Sequence, residues 1–445
     1  MIEVLRRPAF RRLFLAQAIA LTGTGLATVA LALLAYELAG EEAGAVLGTA
    51  LAIKMVVYVL LAPLSGALVP PAQRKRVLVV LDLVRAGVVL LLPFVTEVWQ
   101  VYVLIALLQS ASACFTPLFQ SIIPEVLPDE RDYTRALSLS RLAYDLESLL
   151  SPALAAALLV WISFSGLFVG TSLGFLLSAA FVLWTALPAA PAHPLGEKVF
   201  ARALRGMRVY LRTPRLRGLL GLNLCAAAGG AMVFVNTVVI VRDALGGGEQ
   251  QVAWALAAFG AGSMLVAVLL PRVLGGTTER RAMLVSGALV VLVLATIAML
   301  WTIVPGLVGW PVLLAGWLVL GAGYAGLVTP GGLLLRRSAA AADLPALFAA
   351  QFSLSHACWL LAYPLAGWVG AAFGQHAALW ALTGLGAVGL VAAALAWPAF
   401  DPSELSHRHD ELPADHPHWD GADPLHDGVH VHPFVIDALH RRWPG

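Results

Sequence analysis

Two long apolar blocks, parted by one short basic stretch, decide most of what this chain can fold into. Each block has room for about six helices of the twenty or so residues that cross a hydrocarbon core. In lipid every backbone N–H and C=O must find its partner within the segment, so such blocks fold as helices. The stretch between them runs from Leu187 to Arg217 and reads LPAAPAHPLGEKVFARALRGMRVYLRTPRLR. It opens with prolines. Lys198, Arg202, Arg205, Arg208 and Arg212 then recur at three- and four-residue spacing, with Val199, Leu204 and Leu211 elsewhere. That pattern suits a helix lying along an anionic membrane surface. A solvated linker helix is the alternative.

Composition agrees. The chain is 60% hydrophobic and 12% charged, against about 25% charged in a soluble domain. An all-α integral membrane protein with twelve transmembrane helices is therefore expected. The start, MIEVLRRPAFRR, runs straight into a long apolar run with no small-residue cleavage pattern, so an uncleaved start is expected. Cys114, Cys225 and Cys358 lie in apolar runs and read as small core residues, with no disulfide framework implied. No nucleotide loop, Ser-His-Asp arrangement or closed catalytic metal site is found, so neither an enzyme nor a bound cofactor is expected. The expected partner is membrane lipid, not nucleic acid, and the expected state a monomer.

In the first block the spans fall at about 13–38, 45–69, 77–95, 98–122, 136–160 and 166–187; the twelfth falls at about 376–397. About 24 of the 28 Lys and Arg lie in the N-terminus, the even-numbered links and the C-terminus, and only Arg242 lies in an odd-numbered link. The positive-inside rule then puts both termini and the central stretch in the cytoplasm of a bacterial inner membrane. The expected units are an N-terminal bundle over 1–187, a linker over 188–214, a C-terminal bundle over 215–398 and a tail over 399–445.

The second block restates the first. Pro8, Arg11, Leu13 and Gln17 match Pro214, Arg217, Leu219 and Asn223 in register. Thr116-Pro117 ends span four as Thr329-Pro330 ends span ten, and Pro152 corresponds to Pro364. Six spans repeated in one orientation imply two parallel six-helix bundles about an axis along the membrane normal, with a path between them near the midplane.

On these residues the chain resembles the major facilitator superfamily of transporters. Gly66-Ala-Leu-Val-Pro-Pro-Ala-Gln-Arg-Lys-Arg is similar to that family's G-x-L-x-D-R-x-G-R-R loop, with Pro70 at the acidic position. The segment from Phe115 to Pro128 resembles the branch that holds siderophore and metal exporters. Within it, the run from Thr329 to Ser338, the run from Ala350 to Gly367 and the His-rich tail resemble the nickel-resistance exporters. The resemblance implies alternating access by rocking of two halves, with the first helix of each bundle lining the cavity.

Charged groups within spans are costly and need a partner or a purpose. Asp82 and Arg85, three apart on one face, can form a structural ion pair or a coupling site. Arg141 and Asp145 lie four apart in span five, and Glu147 lies on another face; an acid in a half-hydrated cavity can carry a proton. Lys54 is expected to snorkel or to face Glu147 or Asp145. Gln17 and Asn223 read either as a symmetric polar contact to substrate, which the resemblance implies, or as helix–helix hydrogen bonds. In span eleven Gln351, Ser355 and Cys358 share a face, while His356 sits in a column with Trp359 and Tyr363. His356 reads either as a hydrogen-bonded core residue or as a neutral imidazole that could pass on a metal ion or a proton. Gly321, Gly323 and Gly326 read as close-packing positions in span ten.

Beyond span twelve the composition changes abruptly. Eight of the eleven histidines follow Asp401: His407, His409, His416, His418, His426, His430, His432 and His440. They are interleaved with Asp and Glu, and imidazole with carboxylate suits Ni, Co, Zn or Cu(II). A flexible tail with several weak metal sites is expected. The function expected from the whole is proton-coupled export of a divalent metal, nickel first, with export of a siderophore or lipophilic drug as the alternative.

Overall fold

The computed structural model describes the chain from Ile2 to Trp443, except chiefly residues 70–72, most of 128–152, 187–198, 275–278 and 409–422, with scattered single positions elsewhere. Among the described residues, nine stretches are long and apolar enough to cross a membrane, and one of them, Pro8–Leu61, holds two helices. In the first half span one is Pro8–Ala39, span two Ala43–Leu68, span three Arg74–Leu91, span four Val98–Val126 and span six Phe164–Trp184. Of span five, residues 153–158 are helical and the greater part lies outside the described residues. The linker helix is Val199–Arg212. The second half has span seven at Pro214–Val239, eight at Glu249–Leu274, nine at Glu279–Ile303, ten at Trp310–Val328, eleven at Leu344–Phe373 and twelve at Gln375–Ala396.

Helix pairing repeats as the sequence does. Spans one and six pack together, as do seven and twelve; two packs on four as eight packs on ten; three packs on four and six as nine packs on ten and twelve. Small contacts repeat too. Lys75 at the start of span three donates to the Thr185 carbonyl at 2.7 Å, and Arg280 at the start of span nine donates to the Trp397 carbonyl at 2.9 Å. Proline opens both span one and span seven, where its missing N–H has no helical partner to lose. The result is two parallel bundles. We call the end holding Pro8, the linker helix and Ala396 the basal end, and the other the distal end.

The close-packing role expected for span ten is visible at Gly321. A Cβ there would overlap the Phe259 carbonyl of span eight, and a Cβ at Gly262 would overlap the Leu318 carbonyl of span ten. Backbone therefore meets backbone, which is how apolar helices gain adhesion when lipid removes the hydrophobic drive between them.

The tail departs from the expected flexible segment. Three short strands, β1 (Glu404–Arg408), β2 (Asp423–Leu425) and β3 (Val429–Pro433), form an antiparallel sheet in the order β1-β3-β2. Val429 to Pro433 alternates apolar and imidazole side chains, a period-two pattern that fits a strand with unlike faces. Phe434, Ile436 and His440 are buried.

Gly321→Val should force spans eight and ten apart. An overpacking cost of about 1–3 kcal/mol is expected as a thermal midpoint in detergent several degrees below that of the parent. Gly384→Val, at an open position on span twelve, should leave the midpoint unchanged.

Candidate functional site

Among the described residues, the two halves meet most closely where span two crosses span eleven. Gly44 and Gly48 start span two at its distal end, and Gly367 lies on the distal half of span eleven. A Cβ on Gly48 would stand 2.6 Å from the Tyr363 carbonyl, and one on Gly367 would overlap the Gly44 carbonyl. Trp368 Nε1 donates to Thr49 Oγ1 at 3.0 Å across the same seam. At the rim the Tyr36 hydroxyl, ending span one, donates to Asp243, and the Arg242 guanidinium lies 5.0 Å from the Tyr36 ring. Both charged residues sit on a π turn, Ile240–Ala244, that widens the end of span seven. Among the described residues, the halves are therefore joined at the distal end along this seam.

Midway along the seam the contact becomes aromatic. Tyr58 of span two stacks on His356 of span eleven, with centroids 5.5 Å apart and planes 6° apart, and on Phe352 at 5.9 Å. Lys54, one turn away, holds its amine 5.9 Å from the Tyr58 ring. His356 Nδ1 lies 2.6 Å from the Phe352 carbonyl, four residues back. That contact assigns the proton to Nδ1 and leaves Nε2 as the acceptor. The column expected for His356 divides: His356 rests on Phe352 and Tyr58, while Trp359 packs on Tyr363, Tyr324 and Phe234 within the second half.

The expected polar face of span eleven turns toward span seven and the linker. Gln351 Oε1 accepts from Tyr210 Oη at 2.6 Å and from Asn223 Nδ2 at 3.4 Å. Burial pushes the Tyr210 phenol pKa up, so it stays protonated and donates. Ser355 donates to the Phe352 carbonyl, and Cys358 points its thiol at the Leu220 carbonyl. In the first half Ser140 Oγ donates to Gln17 Oε1 at 3.0 Å. Gln17 and Asn223 thus each bond to the fifth helix of their own bundle, at matched places in the repeat. Arg141, Asp145 and Glu147 lie outside the described residues.

Asp82 and Arg85 form the expected pair, sealed from solvent at 0% and 5% exposure. Ser178 of span six donates to the second Asp82 oxygen at 2.8 Å. The guanidinium lies 4.0 Å from the Phe115 ring centroid and 4.4 Å from that of Phe175. The pair therefore clamps spans three, four and six together, with cation–π contacts replacing water around the guanidinium.

At the basal end, the sheet register sets His407 opposite His430 and Leu405 opposite His432. His409, His416, His418 and His426 lie outside the described residues. His440 packs its ring against Phe434 at 4.6 Å. The tail is tied to the bundle: Arg215, 2% exposed at the start of span seven, binds Asp401 at 2.9 Å and lies 5.0 Å from the Trp443 ring. Among the described residues no three His, Cys, Asp or Glu side chains are grouped to hold a metal ion. Sequence reasoning missed Tyr36, Asp243, Tyr58, Tyr210 and Arg215, all of which act through partners far away in the chain. The one available signal was Arg242, the lone cation of an odd-numbered link.

With this geometry in hand, known proteins can be compared. A family model described as Major Facilitator Superfamily matches residues 13–239. An uncharacterized MFS-type transporter of Bacillus subtilis (strain 168), YfiS, is 26% identical over 220 residues, which is 48% of this chain and 52% of that protein. The match thus spans about half the length of that curated relative. Among solved structures, a point mutant of the nucleoside transporter NupG superposes with a TM-score of 0.67 at 14% identity, covering 88% of this chain and 100% of that one. A D-xylose-proton symporter gives 0.62 at 16% identity, covering 88% and 98%. A bacterial homolog of the human lysosomal transporter Spinster, inward-facing and unoccupied, gives 0.64 at 12% identity, covering 87% and 95%. At these identities the likeness concerns fold.

Removing one member of a sealed ion pair strands the other, at a cost of about 3–5 kcal/mol. Asp82→Ala should therefore lower the thermal midpoint sharply, and the double variant Asp82→Leu with Arg85→Met should recover most of it. Transport by that double variant should match the parent. A stable but inactive double variant would instead mark the pair as a coupling site.

Proposed function

This chain belongs to the Major Facilitator Superfamily, and from that premise we propose that it exports a divalent transition metal, nickel first, from the cytoplasm in exchange for protons. The membrane is a bacterial inner membrane, and both termini face the cytoplasm. The observation that carries the reading is the anchored tail. Arg215 ties Asp401 and Trp443 to the base of span seven, so the histidine-bearing sheet stays at the inner mouth. The backbone register sets His407 opposite His430, and imidazole is a donor type that divalent transition metals take. Imidazole must be neutral to bind, so capture weakens below about pH 6.

The halves rock about the span two–span eleven seam. Opening the Tyr36–Asp243 contact and the Gly44–Gly367 approach gives the outward state. His356, with Nε2 as acceptor beside the seam, offers a stepping point for a metal ion or a proton.

A specific observation favours a second reading. Lys54, Tyr58, Phe352 and His356 together suit a flat organic molecule with negative charge better than a bare cation. Nickel flux in proteoliposomes separates the two. On the metal reading, Ni²⁺ moves faster than in protein-free vesicles, against an imposed proton gradient. His407→Ala with His430→Ala should then raise half-saturating Ni²⁺ about tenfold and leave the maximal rate unchanged. Flux equal to that of empty vesicles would discard the metal cargo in favour of the organic one.

A further inference from the structure

The linker helix has two opposed faces, one packed on span eleven and one exposed among the described residues. On the engaged face, Gly206 seats against the Ala346 backbone, where a Cβ would overlap the carbonyl oxygen. Val209 and Tyr210 are buried beside it, Arg205 Nε lies 3.2 Å from Asp343 Oδ1, and Tyr210 reaches Gln351. On the opposite face, Leu204 and Leu211 are 51% and 45% exposed, and Arg208 is exposed between them. At about 100° per residue these three positions fall within about 60° of each other.

We propose that this outer face docks on anionic lipid headgroups, with Leu204 and Leu211 at the acyl boundary and Arg208 on phosphate. Three observations commit the face to lipid. Leu204 and Leu211 lie one above the other along one edge of the exposed side, next to Arg208, so an apolar strip adjoins a basic one. Leucine beside arginine on one face is the composition that lies in a charged bilayer interface. The helix also sits at the right level. Its C-terminal end passes through Thr213 directly into span seven, and its engaged face rests on the first turns of span eleven, so it lies where two spans leave the bilayer. The same end of the molecule exposes Arg6, Arg7, Arg11 and Arg12 around the start of span one, which continues the basic rim.

The consequence is mechanical. Tyr210 ties the linker to Gln351, and Gln351 is tied to Asn223. Headgroup binding therefore fixes the linker, span seven and span eleven as one body in the plane of the membrane. The proposal is independent of what the protein carries.

Thiol labelling in lipid nanodiscs tests it. Leu204→Cys in the full chain is reacted with a water-soluble maleimide, with labelling of the parent as background. The discs hold phosphatidylcholine alone, or with phosphatidylglycerol as about one lipid in three. With phosphatidylglycerol, labelling should slow about tenfold, and the protection should fade in about 0.5 M salt. Adding Arg208→Gln should remove about fivefold of it, the effect of one arginine at an anionic surface. Glu404→Cys, exposed in the tail, should react equally in both discs. Leu211→Cys should repeat the pattern and serves if the first variant fails to fold. Equally fast labelling in both lipids would show a solvent-facing helix, and equally slow labelling would show a face covered by protein or neutral lipid. Either result overturns the proposal.

Discussion

The whole arrangement depends on two helix backbones touching with nothing between them. Where span two meets span eleven, glycines at positions 44, 48 and 367 remove the side chains that would hold the halves apart. Lipid is as apolar as leucine, so adhesion here comes from close van der Waals approach and not from burial away from water. That adhesion suits a moving part. Dispersion over a smooth surface is lost gradually as the surfaces part and leaves no stranded charge. The polar groups that finish the closure, Tyr36, Asp243 and Arg242, lie at the rim, where water can take their place. A transporter needs its two states within a few kcal/mol of each other. A seam of this kind can be strong enough to close and weak enough to open.

Duplicated sequence gives duplicated helix pairing here, but the binding within each half has diverged. Lys75 and Arg280 make the same contact to the end of the last helix in their bundles, and Gln17 and Asn223 both bond to a fifth helix. The differences are local. The first half holds spans three, four and six with the buried Asp82–Arg85 pair, whereas the corresponding stretch of span nine, Gly287 to Val290, is apolar and packs on Leu390 and Gly229. The second half adds Tyr210 to its polar contact, which brings the linker into the bundle. A symmetric ancestor therefore need not leave a symmetric mechanism.

The spans were legible because hydrocarbon thickness and backbone pairing leave a chain little choice. Span twelve was expected at about 376–397 and is found at Gln375–Ala396. Span one begins earlier than its apolar run, because Pro8 starts the helix and Arg11 and Arg12 ride on its first turns. The Asp82–Arg85 contact was legible because its partners are three residues apart. What stayed hidden depends on pairs from distant sequence: Tyr58 with His356, Tyr36 with Asp243, Arg215 with Trp443. Periodicity fixes which face a residue occupies, but not which helix lies opposite. The tail misled for another reason. Its His and Asp content outweighed a short alternation, Val429 to Pro433, that reads as a strand only once β1 supplies the other edge.

Charge placement ties the appendages to the motion. Arg215 is nearly fully buried yet lies at the mouth of the bundle, so it needs both Asp401 and the Trp443 ring to offset its lost hydration. Those partners come from the start and the end of the tail, so both ends of the tail are held at the base of span seven. The named contacts of the linker, Gly206 on Ala346 and Tyr210 on Gln351, fall on the same half. In the proposed rocking cycle, linker and tail would therefore travel with the second bundle, and the first bundle would swing past both. On that proposal a ligand held on the tail would keep a constant position relative to span seven and span eleven, and would change position only against the first half. Transfer from tail to cavity, on that proposal, would be timed by the first half uncovering the entrance, since the donor itself would not move toward it.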